Sequence, residues 1–216
     1  HTTTSTPAAT VTMKEFCGKY EKICFDYPSN WSVEAASNDG TDGKSNMPYD
    51  FVTVKDDKGG SALTLRSGID GIGGACPRDE MAGQTAEVVS TYQTKITVPA
   101  QYINTDYNLA IISAAEVIIK NDKGYTAQMY LSNAKTTSEV KAGMHACDVY
   151  MTNFIYGKTN IIPTTSNPAA MTFNSGPAFG GADTLTVYGS RTEATNYFAT
   201  DAAKKAYEIL KSVHYK

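Results

Sequence analysis

The chain has 216 residues, 41% hydrophobic and 19% charged, with a formal net charge of −3. A chain of this length forms one domain by default, with a core able to bury about 70% of the surface that the unfolded chain exposes. The negative balance argues against nucleic acid or an anionic membrane surface as a partner, and no run approaches the ~18 apolar residues of a membrane span.

The first ten residues, His1-Thr2-Thr3-Thr4-Ser5-Thr6-Pro7-Ala8-Ala9-Thr10, contain no large hydrophobe. Such a stretch cannot offset its ordering entropy and reads as a disordered tether ahead of a single domain over 11–216. It has the features of neither a signal peptide nor a transit peptide. Thr/Ser/Pro/Ala tracts of this kind tether folded domains to cell surfaces. The expectation is the soluble domain of a bacterial surface lipoprotein, secreted or cell-surface anchored, whose lipidated cysteine is not in this chain.

Val11–Phe16 alternates apolar and polar residues, and Tyr20–Tyr27 forms a second extended run. Between them lies the turn Cys17-Gly18-Lys19-Tyr20. The four cysteines, Cys17, Cys24, Cys76 and Cys147, include no CxxC spacing, so a zinc site is not expected. An even count at scattered positions suits disulfides in an oxidising compartment. Of the three connectivities, the turn favours Cys17–Cys24 with Cys76–Cys147; free buried thiols are the alternative.

In Ile23–Val33, Pro28 ends the first run, Ser29 and Asn30 supply turn chemistry, and the only tryptophan follows. Trp31 is expected to anchor two strands over a core. Ser32–Ala36 is a short strand, and Ser37–Pro48 a polar loop. Asp50–Lys55 and Ser61–Arg66 alternate on both sides of a Gly-containing loop, a specific hairpin pattern. Ser67–Glu80 is a glycine-rich excursion. Thr85–Val89 is ambiguous between helix and strand, and Thr91–Val98 favours strand.

Leu109–Lys120, the turn Asn121-Asp122-Lys123-Gly124 and Tyr125–Leu131 form a second hairpin. Its first strand is apolar on both faces and therefore central and covered. His145–Tyr156, Ala169–Phe173 and Thr184–Tyr188 read as further strands. Ser190-Arg191-Thr192-Glu193 fits a capping box, and Thr200-Asp201 offers a second helix start. Ala203, Ala206, Tyr207, Leu210 and Val213 then fall at helical spacing. The predicted class is α+β: a central antiparallel sheet with a C-terminal helix packed across one face.

Phe25-Asp26-Tyr27-Pro28-Ser29-Asn30-Trp31 resembles the "F-x-Y-P-x-x-W" opening of the Mog1/PsbP-like fold family, which includes bacterial lipoproteins. Ala206-Tyr207-Glu208-Ile209-Leu210-Lys211-Ser212-Val213 resembles the closing helix of those chains. Together the two motifs cover about a tenth of the sequence. The resemblance implies a sandwich around a central antiparallel sheet, with additional helix, and a binding or assembly role rather than catalysis. It carries no catalytic residue to this chain.

No constellation of catalytic, cofactor-binding or metal-ligating residues emerges. Gly-x-Ser-x-Gly is absent, and His145 and His214 are the only internal histidines. His145 and Cys147 would share one strand face, but a bridged cysteine is no nucleophile. His214 falls at the exposed end of the last helix. Asn38–Asn46 lacks the ligands of a calcium loop at Gly40 and Tyr49. Gly71-Ile72-Gly73-Gly74 lacks the lysine and following helix of a phosphate loop. Asp56-Asp57 and Asp79-Glu80 read as solvated turns.

Tyrosine, at 14 residues, is in excess, which mostly reflects sheet propensity and cross-strand packing; an exposed tyrosine-rich face would be a contact surface. The reading is an extracytoplasmic, non-catalytic binding or assembly module for an unknown protein or cell-wall component, with no cofactor and no nucleic acid. A secreted hydrolase using loop carboxylates or a metal, and a carrier of a small apolar ligand, are the alternatives.

Overall fold

The computed structural model describes residues 10–20, 23–39, 48–70, 78–95, 111–132, 143–150, 152, 155–157, 169–175 and 185–216. The strands are β1 (Met13–Cys17), β2 (Ile23–Pro28), β3 (Ser32–Ala35), β4 (Asp50–Lys55), β5 (Ser61–Asp70), β6 (Thr85–Lys95), β7 (Ile111–Asn121), β8 (Gly124–Ser132) and β9 (Met144–His145). Helix α1 (Ala146–Tyr150) follows, then β10 (Ile155–Gly157), β11 (Ala169–Asn174), α2 (Arg191–Tyr197), α3 (Asp201–Lys211) and β12 (His214–Tyr215). The described strands form two antiparallel sheets. One has the order β1-β2-β12; the other runs β3-β4-β5-β11-β8-β7-β6-β9, with β10 beside β11. The α+β class holds.

Turn chemistry fixes the two large hairpins. The Asn121 side chain accepts from the backbone N–H groups of Lys123 (2.9 Å) and Gly124 (3.1 Å), closing the β7–β8 turn. Asp56 does the same for Lys58 (2.9 Å) and Gly60 (2.8 Å) between β4 and β5. Cys17 and Cys24 face each other across β1 and β2 and are disulfide-bonded, with Cα atoms 4.1 Å apart. Gly18 N–H donates to Ile23 O at 2.8 Å, so the cysteines occupy the adjacent non-hydrogen-bonded pair, where side chains come closest. None of the described cysteines is free. The Cys76 half of the second expected pair lies outside the described residues, as do the loops 40–47 and 71–77.

The main core lies between the large sheet and the pair α2–α3. Val52, Val54, Leu63, Leu65, Met129, Leu131 and Phe173 point towards Ala203, Ala206, Ile209 and Leu210 of α3. Trp31 sits in this core, 4% exposed, and its backbone N–H closes the preceding turn by donating to Pro28 O at 2.9 Å. Ser212, at the end of α3, accepts from Asp26 N (2.8 Å) and so ties the helix to β2. On the opposite face, α1 covers a smaller cluster of Ala86, Ala115, Val117, Ile119 and Tyr130. Strand β7 is thus covered on both faces.

Several expectations need correction. His145–Tyr156 is not one strand: β9 ends at His145 and α1 begins at Ala146. Ala146 and Val149, three residues apart, both bury against β6 and β7, which helical spacing achieves and strand alternation does not. His145 and Cys147 therefore share no strand face; the His145 Nδ1 instead accepts from the Cys147 backbone N–H at 3.1 Å. Thr85 opens a strand, not a helix. Of the segment expected as a strand near Tyr188, the described part pairs only through a bridge from Tyr188 to Tyr125.

The two helix starts are both used. Ser190 accepts from Glu193 N at 3.2 Å, and Thr200 from Ala203 N at 3.3 Å, each opening its own helix. Thr200, extended at φ −67° and ψ 152°, separates the two. Glu193 reaches past the cap to accept from Gly189 N at 3.0 Å. His214 is not on the helix but in β12, with Nε2 3.0 Å from a carboxylate oxygen of Glu15, which Lys216 also contacts.

Candidate functional site: a polar seam between β6 and α3

Strand β6 lies near the rim of the large sheet, paired along its length with β7 and at Thr85 and Ala86 with β9. Its register slips at Val88–Ser90: Val88 faces Val117 and Ser90 faces Glu116, leaving Val89 as the extra residue of a bulge. A bulge re-aims the side chains that follow it. Ala86 and Val88 pack beneath α1, whereas Val89 joins the main core. Ser90 and Tyr92 therefore stand on the α3 face, beside Glu116 and Ala114 of β7.

Six side chains meet there. The Ser90 hydroxyl donates to Glu116 Oε1 at 2.8 Å and lies 2.9 Å from the Tyr207 hydroxyl, which also reaches Ala114 O at 3.2 Å. The Lys211 ammonium sits between two rings, 4.8 Å from the Tyr92 centroid and 5.0 Å from that of Tyr207. It also pairs with Glu208 at 2.6 Å. Residues 207, 208 and 211 come together because they are three and four apart on one helix.

Glu116 is the single acid in the otherwise buried stretch from Ile112 to Ile119 of β7. Burial pushes its carboxyl above the ordinary value, opposed by the Ser90 hydrogen bond and the charge of Lys211. Burial likewise pushes the Tyr207 phenol up; the Ser90 contact opposes this, while the charges of Glu116 and Glu208 reinforce it. Two hydroxyls in line leave two proton arrangements. An ionised Glu116 accepts from Ser90, which accepts from Tyr207. A protonated Glu116 donates to Ser90, and the chain runs outward through Tyr207 to Ala114 O. The seam can thus hold a proton in two patterns without moving a heavy atom.

The seam continues to Glu87 of β6, where Arg191 of α2 makes a two-pronged ion pair at 2.7 and 2.5 Å. These hydrogen bonds hold the Glu87 carboxyl below its usual range and raise the guanidinium. Beside the pair is a recess of about 200 Å³ lined by Thr85, Glu87, Lys120, Tyr125, Gly143 and Arg191.

The residues singled out from sequence lie elsewhere. Cys17 and Cys24 are in the β1–β2 hairpin, Trp31 is in the core, and Cys147 is in α1, its sulfur 3.8 Å from that of Met81. The fold does not gather them into one site. Among the described residues, no three His, Cys, Asp or Glu side chains converge as a metal site would require. His145 and His214 are both outside the seam, and the partner of Ser90 is a carboxylate. One sequence signal marked the place: a lone glutamate in a strand that is apolar on both faces.

No family model, curated protein or solved structure matches the chain.

Proposed function

We propose that the chain is an extracytoplasmic, non-catalytic binding or assembly module. In this reading it is the soluble domain of a bacterial surface lipoprotein with a Mog1/PsbP-like sandwich, and the outer end of the seam is its contact surface. The Tyr92–Lys211–Tyr207 stack carries the reading. Among the described residues, Tyr92 is one of few large apolar side chains left exposed, at 49%, although it stands beside the helix that covers the sheet. A tyrosine held against a cation presents a large contact area at small conformational entropy cost, and a partner that excludes water strengthens the cation–ring attraction. The Cys17–Cys24 disulfide supports an oxidising compartment.

The test is capture from cell-envelope extract, comparing the parent chain with Tyr92→Ala and with Lys58→Ala in the distant β4–β5 turn. A protein or glycan recovered by the parent and by Lys58→Ala, but lost with Tyr92→Ala, is the expected result. Equal recovery by all three chains, or no reproducible partner, refutes it. The anchoring part is tested by fractionating the full-length product: a soluble native form with an unmodified intact mass excludes a lipoprotein.

A further inference from the structure

Strand β1 is the outer strand of the small sheet, with β2 on one side and, among the described residues, no strand on the other. Which of its backbone groups face outward follows from the bonds it makes. Gly18 N–H donates to Ile23 O at 2.8 Å, and Ser29 N–H donates to Thr12 O at 2.8 Å. Bonding to one neighbour recurs at every second residue of an antiparallel strand, so Thr12, Lys14, Phe16 and Gly18 turn their groups towards β2. Met13, Glu15 and Cys17 turn theirs away. Pro28, which has no N–H, sits opposite Met13, where none is needed. The outer edge of β1 is therefore a row of N–H and C=O groups with no strand to bond among the described residues, a template for another strand.

Open edges are ordinarily short or guarded by charge. β9 and β12, at other margins of the two sheets, are two residues each, and β3 carries Glu34 in an ion pair with Lys55. β1 has five residues, and one of its faces lacks such a guard. Val11 and Met13 stand on that face, 40% and 52% exposed, two of the four large hydrophobics left exposed among the described residues. Glu15 shares the face but does not cover the edge. Its carboxylate lies 3.0 Å from His214 Nε2 and also pairs with Lys216, both on the β12 side. It therefore leans across β2, away from the open edge, with its charge met. Lys14 is on the opposite face, alternating with Phe16, which packs on the main core.

We propose that this edge pairs with the same edge of a second copy of the chain, antiparallel, about a two-fold axis at Met13. Charge selects the register. A two-fold axis sets one residue of the strand opposite itself. An axis at Lys14 opposes two ammonium groups and one at Glu15 two carboxylates, and like charges directly opposite destabilise a pair. An axis at Thr12 moves the pairing off β1 onto residues ahead of Thr10. The axis at Met13 opposes no like charges and keeps the pairing within Thr10–Phe16. Lys14 then faces Thr12 of the second copy, Glu15 faces Val11, and the two Met13 side chains meet with a Val11 on either side. The exposed apolar pair is thus covered by its own counterpart, which a strand of unrelated sequence does not supply. The product is one sheet through both copies, in the order β12-β2-β1-β1-β2-β12. A single strand pairing stays below the ~1,200 Å² of standard interfaces, so the dimer is a weak one, with a dissociation constant on the order of 0.1 mM. It uses no residue of the β6–α3 seam.

The experiment is sedimentation equilibrium of the whole oxidised chain from about 10 μM to about 1 mM, a range that brackets a weak interface. The mass is expected to rise with concentration from one chain towards two. Met13→Pro removes an outward N–H and no bond to β2, a position where an edge strand tolerates proline. Met13→Lys keeps every backbone group and sets two ammonium groups face to face. Each should weaken the dimer at least about tenfold while keeping the parent's urea midpoint, and Met13→Lys decides if Met13→Pro lowers that midpoint. Lys14→Gln, opposite Thr12, should change the dissociation constant less than about threefold. A single-chain mass at every concentration overturns the proposal and leaves the edge for a strand of another protein. So do assembly beyond two copies and a parent-like dimer in Met13→Lys. A dimer tightened about tenfold by Lys14→Gln also overturns it, because the axis would then lie at Lys14.

Discussion

Gly18 and Asp50 form a pair whose coupling can be worked from the structure. Asp50, at the start of β4, is fully buried, and its carboxylate accepts from Lys19 N (3.1 Å), Tyr20 N (2.9 Å) and Ser37 Oγ (2.5 Å). It thereby holds the loop of the disulfide hairpin against the large sheet. A Cβ on Gly18 would stand 2.8 Å from Asp50 Oδ2 and 3.4 Å from its Cγ. The carboxylate is short and fixed by its three donors, so it has little room to retreat. Gly18 is not in the left-handed region, so alanine meets no backbone strain there. Gly18→Ala alone should cost about 1–3 kcal/mol as overpacking. Asp50→Ala strands two backbone N–H groups and a hydroxyl; at about 1–3 kcal/mol per unsatisfied buried group, with partial relief from water, the total is about 3–5 kcal/mol. In the double variant the added methyl meets no carboxylate, so the loss should fall short of the sum of the single losses by about 1–2 kcal/mol. Urea denaturation followed by Trp31 fluorescence, with the disulfide oxidised, measures all four chains. Additivity within about 0.5 kcal/mol would refute the account, because the Gly18 cost would then arise from something other than Asp50.

Trp31→Ala should cost about 3–5 kcal/mol in the same assay followed by circular dichroism, the range for deleting a large buried aromatic. Trp31→Phe should cost far less, because it also removes the buried indole N–H, which has no partner; a loss below about 1 kcal/mol for Trp31→Ala would place the ring outside the core. At Gly124, φ is 141° and an added Cβ would run into Tyr188 O, a carbonyl that accepts from Tyr125 N at 2.9 Å and cannot yield. Gly124→Ala should therefore destabilise by about 2–4 kcal/mol, against about 1 kcal/mol for Gly59→Ala, and equal losses would refute the steric argument. Gly59 has positive φ but nothing within 4 Å of the added methyl. Glu116, whose carboxyl burial raises above its ordinary 4.5, binds its proton more tightly in the folded than in the unfolded chain. The stability it contributes is present below 4.5 and is lost as pH rises through the folded value, so Glu116→Gln should flatten a decline in the urea midpoint that the parent shows above 4.5. Parallel pH profiles for the two chains would refute it.

What could be read from the sequence follows the range of the forces involved. The two hairpins were legible because Asn121 and Asp56 close their turns through bonds to residues two to four positions away. Both helix caps were legible for the same reason, although the sequence reads as a choice between starts and the chain uses both. Helix α1 was not legible. Cys147-Asp148-Val149-Tyr150 has strand-like composition, and only the sheet face waiting beneath Ala146 and Val149 selects helical spacing.

The bulge in β6 shows most directly why the seam was hidden. Simple alternation from Ala86 and Val88 would continue to Ser90 and Tyr92 and bury both under α1, among Ala115, Val117 and Val149. That register would desolvate a hydroxyl and a phenol against hydrocarbon and leave Glu116 on the other face without its donor. Inserting Val89 into the main core avoids both costs: it adds an apolar side chain there and turns the rest of the strand over. One strand thus serves two layers, apolar towards α1 before the bulge and polar towards α3 after it. Nothing in the run Val88-Val89-Ser90 fixes which residue is the extra one. The pairing of Ser90 with Glu116, whose two partners are 26 residues apart, decides it. The candidate site therefore exists because a lone half-buried acid on β7 needed a hydroxyl opposite it, and the strand yielded one residue of register to supply it.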